Sequence, residues 1–189
     1  MRFRMIALGS ALFLATGAAS ATTFDFNLAS NAARVGLTQP LTTTGLEVGG
    51  GWLHHQDNGE ILDAGLHLVN DANPGRGSLK VGLGAKLFYV NFDERGLDDG
   101  SSVAIGGKFR YTWPDFNRFA IGGHLYYGPS VTSAGDLKSY GEAAIRAEYL
   151  VLRNANAYIG VRRIRVGVDP RDDTETFESG VNAGIRLDF

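Results

Sequence analysis

Three small constellations in this 189-residue sequence carry groups that could do chemistry. His54-His55 with Asp57 offers imidazole and carboxylate donors of the kind that hold zinc. Adjacent residues on a strand point to opposite faces, however, so both imidazoles reach one ion only if the chain leaves its strand there. The spacing predicts a histidine pair at a loop edge and no metal site. His67 and His124 fall on faces shared with charged residues, where a hydrogen-bonded interior histidine is the simplest reading. Ser130, just beyond Tyr126-Tyr127-Gly128-Pro129, could act with His124 and Glu142 as nucleophile, base and acid in acyl transfer on lipid. Nothing local marks Ser130 as a nucleophile, and Pro129-Ser130 is also an ordinary turn pair. The sequence therefore assigns no catalytic residue, no cofactor and no metal.

A larger set of charged residues is more informative because of where it falls. The cations Lys80, Lys86, Lys108, Arg110, Arg118, Arg146 and Arg186 and the acids Glu47, Asp63, Glu142, Glu148 and Asp188 all alternate with apolar neighbours. From Val103 to Trp113 one face reads Val103, Ile105, Gly107, Phe109, Tyr111, Trp113. The other reads Ala104, Gly106, Lys108, Arg110, Thr112. From Leu79 to Tyr89, apolar residues alternate with Lys80, Gly82, Gly84, Lys86 and Phe88. Period two marks strands with two different faces. Eight such strands are expected, at roughly 43–55, 60–70, 78–92, 101–113, 117–128, 139–153, 156–168 and 177–189. Most exceed the ~5–6 residues common in soluble sheets and reach the ~9–11 that a tilted strand needs to cross a bilayer.

Two segments fit less simply. Phe24–Leu28 and Ala33–Leu37 read as a short hairpin around Ser30-Asn31, which would raise the count to ten, plug a barrel or remain periplasmic. In 156–168 the apolar residues change phase at Arg162-Arg163, as a β-bulge would cause.

Alternation over this length has one physical cause in lipid. Every backbone N–H and C=O must be paired within the protein, so only a closed barrel survives. Side chains then face lipid and lumen in turn, and a Lys or Arg facing lipid at mid-depth costs ~2–4 kcal/mol. The charges named above are thus expected to point inward. Trp52, Tyr89, Tyr111, Trp113 and Tyr127 are expected at the interfaces. An eight-stranded barrel is just wide enough for side chains to fill. A paired, hydrated charge network closing the lumen is the favoured expectation, and a narrow anion-preferring pore the alternative.

Composition and the two ends agree with export. Arg2 and Arg4, the apolar run Met5–Ala15 and the small-x-small sequence Ala19-Ser20-Ala21 read as a signal peptide, with Ala19 and Ala21 framing cleavage after residue 21. The barrel is expected to occupy 22–189. There is no cysteine, hence no disulfide, lipid-anchor cysteine or thiolate metal site. A net charge of −2 argues against nucleic-acid binding. Beyond the leader no run approaches 18 apolar residues, so no transmembrane helix is expected. The last strand carries Asn182-x-Gly184-x-x-Leu187-x-Phe189, which resembles the C-terminal assembly signal of bacterial outer-membrane barrels. An amphipathic strand ending in an aromatic can be captured by strand addition. Membrane lipid and the barrel assembly machinery are the expected partners of an otherwise monomeric chain.

The sequence also resembles the YfaZ family of outer-membrane proteins. The matching stretches are Phe24-Asp-Phe-Asn-Leu28, Gly51-Trp-Leu-His-His55, Ala64-Gly-Leu-His-Leu68, Asn117-Arg-Phe119, Leu125-Tyr-Tyr-Gly-Pro-Ser130, Arg146-Ala-Glu-Tyr149 and Tyr158-Ile-Gly-Val-Arg-Arg-Ile-Arg165. Val161 stands where an aromatic is expected. The resemblance implies an outer-membrane barrel with no established activity and supplies no catalytic residues. Together these observations predict an all-β, up-and-down transmembrane barrel of eight full strands, ten if the N-terminal hairpin joins, in the outer membrane of a Gram-negative bacterium. Its expected role is structural or surface-exposed, with a lipid-modifying enzyme as the remotest alternative.

Overall fold

A computed structural model of the chain describes residues 22–41, 45–72, 78–93, 97–168 and 173–189. The proposed signal peptide, 1–21, lies outside the described residues. Eleven strands follow in order: β1 (Thr23–Ala29), β2 (Ala32–Pro40), β3 (Leu46–His55), β4 (Gly59–Asp71), β5 (Ser78–Phe92), β6 (Gly100–Thr112), β7 (Phe119–Gly128), β8 (Ser133–Gly135), β9 (Leu137–Leu152), β10 (Ala155–Val168) and β11 (Asp173–Asp188). All but the three-residue β8 form a single antiparallel ring, β1–β2–β3–β4–β5–β6–β7–β9–β10–β11. β1 pairs with β11 from Thr23↔Asp188 to Ala29↔Asn182, which closes the barrel. β8 adds only a short pairing to Gly100–Ser102 of β6. The barrel is therefore ten-stranded. The N-terminal hairpin is part of its wall, because without β1 and β2 the edges of β3 and β11 would be unpaired in lipid.

Thr23 of β1 and Asp188 of β11 lie at one end of the barrel together with the described turns 113–118 and 153–154, and this is called the inner end because the periplasmic turns of such barrels are short. The opposite, outer end carries the described turns 30–31 and 56–58 and the connection 129–136, which is longer than either described turn at the inner end. Gly59 opens β4 with φ +107°, and a Cβ there would collide with the Asn91 carbonyl, so this tight turn needs glycine.

The outward face is apolar and large. Leu83, Ile105, Leu125 and Ile159 are each 59–71% exposed, an exposure that only a non-aqueous surround makes favourable. Aromatics flank this band. Trp52, Tyr89 and Tyr127 lie toward the outer end. Tyr111 against Trp113 (5.1 Å between ring centroids) and Phe119 against Tyr149 (4.9 Å) lie toward the inner end.

The phase change on β10 has a different cause from the one expected. The strand keeps its register through Arg162-Arg163, with Tyr158, Arg162, Ile164, Val166 and Val168 all buried inside. No bulge lies there. The apolar residues change face because the interior itself turns apolar at that height. The register shift between β10 and β11 falls between Ile164 and Arg165, opposite the extra residue Phe177 on β11.

Candidate functional site

Most of the buried polar side chains among the described residues converge in the barrel interior, and that interior is layered. Toward the outer end, Leu53, Ile61, Phe88, Val90, Ala104, Tyr126, Leu137, Tyr140, Ile164, Val166, Val168 and Phe177 form one buried cluster. Phe88 stacks on Tyr140 with centroids 3.8 Å apart. Phe177, turned inward by the local extra residue on β11, packs against His55 and Phe92. The outer end of the lumen is thus filled by a hydrophobic core.

Directly beneath it sits a layer of buried charge. On β4 the inward residue changes from Ile61 to Asp63, on β5 from Phe88 to Lys86, on β9 from Tyr140 to Glu142 and on β10 from Ile164 to Arg162. Asp63 bonds Arg34 of β2 at 2.5 Å and faces Lys86 at 3.6 Å. Glu142, fully buried, lies 3.7 Å from Arg34, 3.9 Å from Lys86 and 3.0 Å from His124 Nε2. The Tyr140 hydroxyl donates to it at 3.4 Å. Lys86 also stands 4.4 Å above the Tyr126 ring, whose hydroxyl meets His67 Nε2 at 2.7 Å. Arg162 binds Glu178 through two hydrogen bonds, 2.7 and 3.0 Å. Opposite charges at this depth are tolerable only because each is paired and hydrogen-bonded.

Below this layer a cavity of about 280 Å³ extends toward the inner end. Lys108–Glu47 (2.5 Å), Arg110–Glu148 (2.6 Å), Arg146–Glu148 (2.8 Å) and Arg146–Asp25 (3.0 Å) line it. Tyr158 donates to Asp25 at 2.6 Å and lies under the Arg146 guanidinium, 4.6 Å from ring centre to Cζ. Lys80 and Arg186 also line the cavity. At its mouth Arg186 bonds Asp188 at 3.2 Å, and Asp188 accepts from Thr23 at 2.7 Å.

Eleven of the twelve charges expected inside therefore stand on lumen-facing strand positions, and Arg118 does not. It lies exposed in the inner turn before β7, on the inward parity but beyond the end of the strand. The sequence reading also missed Asp25, Arg34, Arg162 and Glu178. Asp25 and Arg34 belonged to a hairpin left without a place. Arg162 was hidden by the supposed bulge. Glu178 follows Phe177, whose extra position upsets simple alternation.

The small constellations separate. His54 lies on the outer surface against Glu60 (3.4 Å), while His55 points inward and accepts from the Asp57 and Asn58 amides at 3.2 and 3.3 Å. His124 and Glu142 do meet, but Ser130 is exposed in the outer 3-10 turn, Ser130–Thr132. The four steps along the strand from His124 to Gly128 alone span ~13 Å. No nucleophile–base pair is assembled there.

The C-terminal motif has structural roles. Asn182 accepts from Asn27 at 2.9 Å across the β1–β11 seam. Gly184 lies beneath the Tyr158 ring and beside the Phe26 carbonyl of β1, and any Cβ would collide with both. Leu187 pairs with Phe24, and the Phe189 amide donates to the Thr22 carbonyl at 2.9 Å.

Comparisons with known proteins bear on this geometry. The family profile described as "YfaZ precursor" matches residues 1–189, and a precursor in this sense carries a leader. The chain is similar to "Outer membrane protein YfaZ" of Escherichia coli (strain K12), 31% identical over 147 residues covering 78% of this chain and 77% of that protein. Its fold is similar to that of the outer membrane protease OmpT from Escherichia coli, at 12% identity and a TM-score of 0.54, covering 90% of this chain and 93% of that one. The KdgM porin is similar at 12% identity and a TM-score of 0.44, covering 89% and 99%. The likeness to the protease shows a shared barrel fold and nothing about activity.

Proposed function

We propose, from the premise that this chain belongs to the YfaZ family and is an outer-membrane β-barrel, that it is a non-enzymatic, monomeric barrel with a sealed lumen. It serves as a structural and surface-exposed element of the envelope. The observation that carries this reading is the stacking of the apolar cluster around Phe88 and Tyr140 directly on the buried layer of Arg34, Asp63, Lys86 and Glu142. An ion entering from the inner side meets a paired charge layer and then a dry core, which it can cross only by losing its hydration at a cost of several kcal/mol. The closed ring leaves no strand edge for another copy to extend, in keeping with a monomer. Asp93, Asp98, Asp99 and Asp136 give the outer connections an acidic surface.

The second reading, a narrow anion-preferring pore, is favoured by the cations Lys80, Lys108, Arg110 and Arg186 around the inner cavity. It requires the apolar layer to open. Planar-bilayer recording of the refolded protein separates the two: the sealed barrel is silent, and the pore gives discrete steps that change when Lys108 and Arg110 are neutralised. In the proposed life of the chain, the barrel assembly machinery captures β11, and membrane lipid surrounds the finished wall.

A further inference from the structure

Charge is excluded from the outward face at mid-depth, yet toward the outer rim the sector around β10 carries two outward arginines. Arg163 and Arg165 of β10 both point outward and are exposed. Tyr127 of the outer aromatic belt pairs with Gly141, and Gly141 pairs with Arg165, so Arg165 continues the hydrogen-bonded row of that belt. Arg163 is two residues nearer the membrane, ~7 Å along the strand. Among the described residues neither guanidinium makes an ion pair or hydrogen bond. The lumen-facing arginines Arg34, Arg110, Arg146, Arg162 and Arg186 of the described residues each have an acid against them, which the two outward arginines lack.

Their neighbours leave them room. Ala143 and Ser179 flank Arg163, and Gly141 and Thr176 flank Arg165. No acid is among these four, and a Cβ on Gly141 would meet nothing within 4 Å. Arg163 lines the upper edge of a shallow, open groove of about 490 Å³, level there with Ala143 and Ser179 and continuing below over Ile145, Val161 and Val181. Ile145, Val161 and Val181 are 47–58% exposed, an apolar floor facing lipid.

We propose that this sector of β9, β10 and β11 binds a single outer-leaflet lipid that carries a phosphate headgroup. The two guanidinium forks take the phosphate oxygens, and one acyl chain lies in the groove beneath. Guanidinium matches phosphate in charge and in bidentate geometry. The height of Arg163 and Arg165 beside the aromatic belt is that of a headgroup, and the groove runs from there toward the bilayer centre. A lipid satisfies both halves of the site, whereas a free phosphate would use only the arginines.

Native mass spectrometry of the refolded mature barrel, released from detergent containing equimolar dioleoyl phosphatidic acid and dioleoyl phosphatidylcholine, tests this. Wild type is expected to retain phosphatidic acid at least five-fold over phosphatidylcholine. R163Q/R165Q should lose that preference. A143L/S179L, which fills the groove and keeps both arginines, should reduce retention several-fold. R153Q, which removes an arginine from an inner turn, should behave as wild type. Heat-modifiable gel mobility checks that each variant is folded. Equal retention of the two lipids by wild type, unchanged preference in R163Q/R165Q, or an equal loss in R153Q overturns the site. Full displacement by 10 mM inorganic phosphate with no effect of A143L/S179L also overturns it, because the groove then contributes nothing.

Discussion

Arg162 on β10 grips Glu178 on β11 through two hydrogen bonds, 2.7 and 3.0 Å, with both side chains only 5–6% exposed, one step below the apolar core. The pair lies beside the register shift that brings Phe177 inward. It therefore fixes the strand pair where the polar lumen ends and the dry one begins.

Breaking that pair on one side leaves an uncompensated buried charge. R162A and E178A should each cost ~3–5 kcal/mol. Replacing both residues by apolar ones of similar volume, R162M/E178L, should recover most of the loss. Urea unfolding in thin-bilayer vesicles, followed by tryptophan fluorescence, reads this. Equal destabilisation in the double variant would show that the charges themselves, rather than their pairing, hold the barrel.

The apolar layer should matter at least as much. Phe88 is fully buried against Tyr140, and F88A should cost ~3–5 kcal/mol by lost transfer energy and residual cavity. The lipid-facing L83A, of similar chemistry but exposed to a medium as apolar as itself, should cost much less. The same unfolding assay compares them, and similar losses would contradict a core inside the barrel.

Gly184 sits under Tyr158, so G184V should hinder closure of the β10–β11–β1 seam. Removing the ring as well, in G184V/Y158A, should restore part of the folded yield measured by heat-modifiable mobility. Absence of any rescue would mean that the Phe26 carbonyl, which a Cβ at 184 also meets, rather than the ring sets the need for glycine.

The terminal strand makes a separate prediction for assembly in cells. Deleting Phe189, or changing Leu187 and Phe189 to Ala, should lower the amount of barrel in the outer membrane several-fold while leaving the refolded protein closed. Normal insertion of both variants would show that these residues are not read during assembly.

Much of the wall was legible in the sequence because lipid imposes strict alternation. The ranges expected for 78–92 and 156–168 fall on β5 and β10 almost residue for residue. The hairpin of β1 and β2 was visible as Phe24, Phe26 and Leu28 alternating with Asp25 and Asn27. Its short strands gave no reason to prefer wall over plug, which long-range pairing with β11 decides. The filling of the lumen was only half legible. Lys86 announced an inward face, and Phe88 stood on that same face, but a single aromatic among lysines does not reveal a core. The core becomes apparent only when Phe88, Ile61, Tyr140 and Ile164 meet from four strands far apart in sequence. Ile164, Val166 and Val168 suggested a bulge because alternation was read as lipid against water, whereas near the outer end the interior is itself apolar.

Conductance tests the sealed lumen most directly. The mature protein, refolded into planar bilayers, should be silent at ±100 mV, while a variant that removes the dry layer, F88A/Y140A, should leak. Discrete steps from the unaltered barrel, with selectivity that shifts on neutralising Lys108 and Arg110, would contradict the sealed lumen and establish a pore.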